Sequence, residues 1–135
     1  MGILAKEKAK HQIPGISNRI HDSINNVITI EYDKFILMCV HFPETRKDMM
    51  NLNFKCEDFG NSFIEFIKQN IIKSKSKNLI IVGNLNIASE NLDINDNRID
   101  KFSPGCTEKE RKFFNSLINI GICDSFRETH LFDVY

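Results

Sequence analysis

Two asparagines follow a short apolar segment in the second half of the chain. Residues 79–88 read LIIVGNLNIA, so Asn84 and Asn86 stand two residues apart directly after a glycine. In an extended chain, residues two apart point to the same side, and these side chains are expected to emerge together at a strand end. Active sites of layered α/β folds are often located at strand ends, because the sheet fixes the geometry of the site while the adjoining loop is exposed. A polar strand end in an Asn-rich chain is the alternative interpretation.

Composition limits the classes of protein to consider. The chain has 135 residues, which is one modest domain or a piece of a larger one. Hydrophobic residues make up 41% and charged residues 27%, which argues against disorder. Lys plus Arg and Asp plus Glu are both 18, and this balance counts against a free-standing nucleic-acid clamp. It does not exclude an enzyme that brings a divalent metal to a phosphate, because the ion supplies positive charge.

The sequence predicts an intracellular protein that is not secreted and does not contact a membrane. No apolar run approaches the roughly 18 residues of a membrane helix, and the first ten residues, MGILAKEKAK, lack a signal-peptide core. The four cysteines are widely scattered and form no CxxC or CxxH pair, so zinc is not expected and the thiols are expected to be reduced.

Hydrophobic patterning predicts strands first and then alternating helices and strands. Residues 27–32 and 35–42 form a β-hairpin pattern around Asp33-Lys34, and residues 3–5 and 79–83 are two further strand candidates, the latter buried. A helical stripe runs from Leu52 to about Ile72. Thr107 and Glu110 match a capping box before a second helix. This mixture predicts an α/β or layered α+β architecture.

Several segments in order resemble one family. GNLNIA resembles the GDLN(I/V)A segment of the exonuclease III-like apurinic/apyrimidinic (AP) endonucleases, which belong to the endonuclease/exonuclease/phosphatase superfamily. The similarity extends over nearly the whole chain, at similar spacing. The other segments that carry it are LAKEK, VITIEYDKFILMCVHFP, NLNFK, FIEFI, PGCTEKER and DSFR. PGCTEKER together with DSFR points to the AP endonuclease branch rather than to the phosphatases.

The resemblance implies a fold, an activity and a partner. The expected fold is a partial four-layer β-sandwich flanked by helices, and residues 1–135 would be an incomplete domain that lacks the family's N-terminal and C-terminal segments. Such enzymes hydrolyse the phosphodiester on the 5′ side of an abasic site in duplex DNA, using magnesium or manganese. In a eukaryote, a DNA-repair role implies a nuclear protein.

The resemblance also assigns candidate catalytic residues, and two of them, His41 and Asn84, depart from the family pattern; His41 stands where the family usually has Tyr. His41, Asn84 and Asn86 match catalytic positions, and Asn84 and Asn86 match positions near the metal. Asn84 stands where the family has its catalytic Asp, and an amide neither accepts a proton at neutral pH nor binds magnesium as strongly as a carboxylate. Metal is therefore expected to bind weakly if at all, and activity to be impaired. The alternative is a non-catalytic truncated relative, at most a DNA- or protein-binding remnant.

Two basic residues are candidates for contact with the DNA backbone. Lys55 stands at the last Arg of the family's RLxYR stretch, where it keeps the charge but loses the bidentate fork. Arg46 follows Pro43 in a loop and could reach a phosphate, although a solvated loop charge is the alternative interpretation.

Overall fold

The structure is a computed structural model that describes residues 2–70, 77–94 and 102–130. The chain divides into two compact units. The first comprises Met1–Pro43 and Asn61–Leu85, and the second comprises Glu44–Gly60 and Asn86–Tyr135. The sheet belongs to the first unit, whereas the second contains most of the helical residues among those that the structure describes.

The first unit contains a four-stranded mixed sheet in the order β1-β2-β3-β4. The strands β1 and β2 are antiparallel, as are β2 and β3, whereas β3 and β4 are parallel. The strands are β1 (His11–Pro14), β2 (Val27–Glu31), β3 (Phe35–His41) and β4 (Asn78–Asn84). A short helix, α1 (Arg19–Asp22), connects β1 to β2, and the Asn18 side chain caps it by accepting from the Ile20 amide.

The predicted hairpin is confirmed in its register and its turn. Glu31 pairs with Ile36, and the Tyr32 amide donates to the Phe35 carbonyl at 2.9 Å, which leaves Asp33 and Lys34 as a two-residue turn. The buried residues of β3 alternate along the strand and include Met38 and Val40, whereas the residues between them are half-buried. The apolar run of residues 35–42, which is typical of a strand buried on both faces, thus predicted the strand but not its burial, because only alternate residues are buried.

Two strand predictions need correction. Residues 3–5 form no strand, and β1 begins only at His11. The segment at 79–83 is a strand, but Ile80 and Val82 are exposed rather than buried. Within the described chain β4 pairs only with β3, so it is an edge strand, and an apolar pattern by itself does not reveal how many neighbours a strand has.

The predicted helix near residue 52 begins as a π-helix. The π-helix spans Phe54–Phe59, and α2 follows as Gly60–Asn70. In the first unit, Phe63 of α2 packs edge-on against Phe42 with ring centroids 5.0 Å apart, and both side chains are fully buried. The predicted end of this helix, near Ile72, lies outside the described residues.

The second unit is built around α3 (Glu108–Asn119). Thr107 and Glu110 form the predicted capping box at its start, and Phe113 and Leu117 are buried on one side of the helix. The unit also contains a 3-10 turn (Asn91–Asp93) and α4 (Ser125–Thr129). The mixed sheet with helices confirms the α/β class.

None of the helices in the described ranges is long and apolar enough to cross a membrane.

Candidate active site

The first unit brings His41 and Asn84 to neighbouring positions. They are the last residues of β3 and β4, and they are partners in the parallel register. The Phe42 amide donates to the Asn84 carbonyl at 2.8 Å, so the pairing continues one step beyond the strand end. Both residues are exposed. Two polar side chains therefore lie at the carboxyl ends of parallel strands, which is the usual position of ligand sites in such sheets.

Gly83 allows this close strand pairing next to Asn84. Its φ of +132° is one that residues with a side chain rarely adopt, and a Cβ atom there would lie 1.9 Å from the Val40 carbonyl oxygen. The glycine of GNLNIA is therefore required by the backbone geometry of β4 next to β3.

Asn86 belongs to the second unit and does not continue the strand. The strand β4 ends at Asn84, and Asn86 adopts a left-handed conformation with φ 54°. Asparagine tolerates this conformation better than most residues. The same-side argument from two-residue spacing assumes an extended chain up to the second residue, and Asn86 does not meet that assumption.

Lys55 has a different position from the one predicted. Its side chain is fully buried, with the ammonium 2.7 Å from Oε1 of Glu110 and 2.6 Å from the backbone oxygen of Asn86. The predicted contact between Lys55 and DNA is therefore wrong for this arrangement, since the ammonium has no exposed surface to offer a phosphate. A lysine ammonium is usually solvated, and its burial is tolerated only where a partner of opposite charge offsets the loss of solvation.

Glu110 is that partner, and the sequence revealed only part of its role. Its Oε1 accepts from the Thr45 hydroxyl at 2.6 Å, and its Oε2 accepts from the Thr107 hydroxyl at 2.7 Å and the Thr107 amide at 3.1 Å. Burial raises the pKa of the Glu110 carboxyl, but the hydrogen bonds from Lys55, Thr45 and Thr107 and the charge of Lys55 outweigh it, so the net pKa is lowered. The capping box predicted the Thr107 contact, whereas nothing local predicted the ion pair.

Arg46 is exposed, and its guanidinium lies 3.7 Å from the Asp48 carboxylate. Both earlier interpretations, a phosphate contact and a solvated loop charge, agree with an exposed side chain. The DNA contact of Arg46 stays a prediction.

The two remaining family-like segments have structural explanations within the second unit. Arg111, from PGCTEKER, donates to the Asn91 side chain at 3.0 Å. Asp124, the first residue of DSFR, caps α4 by accepting from two amides, and Arg127 of the same segment forms an ion pair with Asp93. Both segments therefore hold the 3-10 turn at residues 91–93.

The described residues do not provide an ordinary magnesium site. No group of three or more His, Cys, Asp or Glu side chains able to hold a metal ion occurs in residues 2–70, 77–94 and 102–130. Asn84 and Asn86 offer neutral amide oxygens, whereas protein-bound magnesium is usually held by carboxylates. These donors do not fit the metal that the family resemblance implies.

The known proteins that resemble this chain in sequence are DNA nucleases. No protein-family model matches the chain. An exodeoxyribonuclease of Bacillus subtilis (strain 168) is 24% identical over 128 residues, which are 95% of this chain and 49% of the relative. A DNA-(apurinic or apyrimidinic site) endonuclease of Dictyostelium discoideum is 28% identical over 127 residues, 93% of this chain and 34% of the relative.

Solved structures share the fold. An AP endonuclease from Archaeoglobus fulgidus superposes with a TM-score of 0.80 at 16% identity, over 94% of this chain and 48% of that one. The 3′ phosphatase NExo from Neisseria, solved with a product DNA hairpin, gives 0.77 at 20% identity, over 95% and 49%. The chain thus spans half or less of the relatives it matches, and its fold is of the endonuclease/exonuclease/phosphatase kind. Together with the ordered motifs, these findings show that the chain is similar to exonuclease III-like AP endonucleases over up to half of their length.

Proposed function

We propose that the chain is part of a DNA-repair nuclease that recognises abasic sites in duplex DNA and belongs to a lineage that hydrolyses the phosphodiester on their 5′ side. The observation that carries the proposal is the similarity along nearly the entire chain to nucleases, in both sequence and fold. One of the solved neighbours was determined with product DNA, which supports DNA as the partner. A role in repair of nuclear DNA would place the chain in the nucleus.

In this proposal the polar residues act on the phosphate and the attacking water. His41 would donate a hydrogen bond to a phosphate oxygen, and Asn86 would orient the water and the phosphate. Asn84 would occupy the position of the general base without being able to accept the proton. This amide supports impaired hydrolysis and weak binding of magnesium or manganese, if any, because a neutral amide oxygen is a poorer magnesium ligand than a carboxylate.

Binding and cleavage are measured separately on one pair of substrates. A duplex with a tetrahydrofuran abasic analogue and the matching intact duplex are compared in magnesium and in EDTA. We expect tighter binding of the abasic duplex and incision close to background. Equal binding of the two duplexes would contradict the proposed substrate. Robust, EDTA-sensitive incision would contradict the proposed impairment.

The amide at Asn84 also supports a second candidate function, a non-catalytic relative that binds DNA or protein. Asn84→Asp tests how much this one position matters, with Asn61→Asp at an exposed site of α2 as the matched control. We expect incision to stay at background in both variants, because one added carboxylate beside neutral donors does not complete a magnesium site. A rise of more than about tenfold in Asn84→Asp alone would show that the amide disables an otherwise complete site.

A further inference from the structure

A buried ion pair inside the second unit supports the backbone of Asn86. Lys55 and Glu110 are both fully buried, and the ammonium is shared between the Glu110 carboxylate at 2.7 Å and the Asn86 carbonyl oxygen at 2.6 Å. An ammonium has three donors, so it can make both contacts at once as a compact charge. The carboxylate has further donors of its own in Thr45 and Thr107, which fix its position.

The segment after Asn86 is fixed as well. The Ala88 amide donates to the Gly105 carbonyl at 2.8 Å, and Gly105 lies just before the capping box that holds Glu110. Asn86 itself has the left-handed φ of 54°. The charged donor from Lys55 reaches the carbonyl of this same residue.

We infer that Lys55 is a positioning residue that fixes the backbone of Asn86, with Glu110 anchoring the ammonium in place. The inference rests on the proposed function in so far as Asn86 acts on the phosphate. Its structural part, that the ammonium of Lys55 determines the conformation around Asn86, stands independently of any activity. Lys55 then fixes part of the candidate site without touching DNA.

The alternative is that the ion pair only stabilises the unit. The two roles are distinguished by replacing both charged residues with neutral ones. Lys55→Met/Glu110→Gln removes both charges together, so no unpaired charge is left inside, yet it also removes the donor to Asn86. Lys112→Met/Glu108→Gln is the matched control, because these residues form an exposed ion pair on α3 with a separation of 2.7 Å.

The first measurement is amide hydrogen exchange by NMR in the full chain. We expect exchange at Ala88 to become at least tenfold faster in Lys55→Met/Glu110→Gln, and the Asn86 amide signal to shift, while the amides of β3 and the control variant stay unchanged. Unchanged exchange and shifts around Asn86 in a folded double variant would overturn the inference.

A second measurement needs no variant and covers the case in which the double variant does not fold. In the wild-type chain, the Lys55 ammonium should give a slowly exchanging ¹⁵N signal with a coupling to the Asn86 carbonyl carbon across the hydrogen bond. A rapidly exchanging ammonium signal without that coupling would overturn the inference.

Binding of the abasic duplex tests the link to the candidate site, because incision is expected close to background. We expect the preference for the abasic over the intact duplex to fall at least tenfold in Lys55→Met/Glu110→Gln, and the control variant to keep it. An unchanged preference despite altered exchange at Ala88 would overturn the link to the candidate site. Altered exchange in a chain that does not prefer abasic DNA would support the positioning role while the proposed function fails.

Discussion

Lys55→Met is expected to destabilise the fold far more than the simultaneous loss of both charges. The substitution keeps most of the side-chain length but removes the ammonium, and it leaves the Glu110 carboxylate fully buried without a counter-charge. Thr45 and Thr107 still donate to the carboxylate, but neutral donors compensate a buried charge only in part.

The expected magnitude follows from this geometry. Removing one partner of a buried pair costs about 3–5 kcal/mol, whereas replacing both with neutral side chains is often close to neutral. Lys55→Met should therefore lower the free energy of unfolding by about 3–5 kcal/mol, a large share of the roughly 5–15 kcal/mol typical of a domain. With a urea m-value of about 2 kcal/mol per molar, the midpoint should fall by about 2 M.

Urea unfolding at pH 7 of the wild type, Lys55→Met, Glu110→Gln and the double variant forms a double-mutant cycle. We expect a coupling energy of at least about 2 kcal/mol, with the double variant more stable than Lys55→Met. Lys112→Met, at the exposed pair with Glu108, should change stability by no more than about 0.5 kcal/mol. Additive single effects, or a loss below about 1 kcal/mol in Lys55→Met, would refute the reasoning.

Three further predictions concern the same unit. The pKa of Glu110 is lowered in the folded chain, so its stabilising contribution is complete above the unfolded pKa of about 4.3 and is lost as the pH falls through the folded pKa. As the pH is lowered, the free energy of unfolding measured in urea should therefore decline less steeply in Glu110→Gln than in the wild type. A Cβ at Gly60 would lie 2.8 Å from two ring carbons of Phe113, and the clash outweighs the gain in helix propensity of about 1 kcal/mol. Thermal melts should therefore show Gly60→Ala destabilising in the wild type, but neutral or stabilising in a Phe113→Leu background. Burial raises the pKa of the Cys56 thiol to about 11, so iodoacetamide at pH 8 should label the exposed Cys123 and leave Cys56 unmodified; equal labelling by mass spectrometry would contradict this.

The elements that depend on local pattern were predictable from the sequence. The hairpin of β2 and β3 follows from two apolar runs separated by a two-residue turn, and the register Glu31 to Ile36 agrees with it. The start of α3 follows from the capping box of Thr107 and Glu110. In both cases the determining residues are neighbours in sequence, so no knowledge of distant contacts was needed.

Features set by distant residues were not predictable. The helical stripe predicted a helix at residues 54–59 but not its π geometry. The burial of Lys55 depends on Glu110, which is 55 positions away, and a basic residue without a visible partner is normally assigned to the surface. The alternation of strand side chains does not apply at Asn86 because its φ is positive, and no neighbouring residue in the sequence indicates this left-handed conformation.

Asn84 and Asn86 are therefore held by different means, although they are two residues apart in GNLNIA. Asn84 is exposed at the end of β4, where its carbonyl accepts from the Phe42 amide, whereas the Asn86 carbonyl accepts from a buried charge. A carboxylate at position 84 would remain in solvent, and the backbone bond that holds the residue would be unaffected. Asn84→Asp should thus leave stability nearly unchanged, so any change in incision by that variant reports on chemistry rather than on folding.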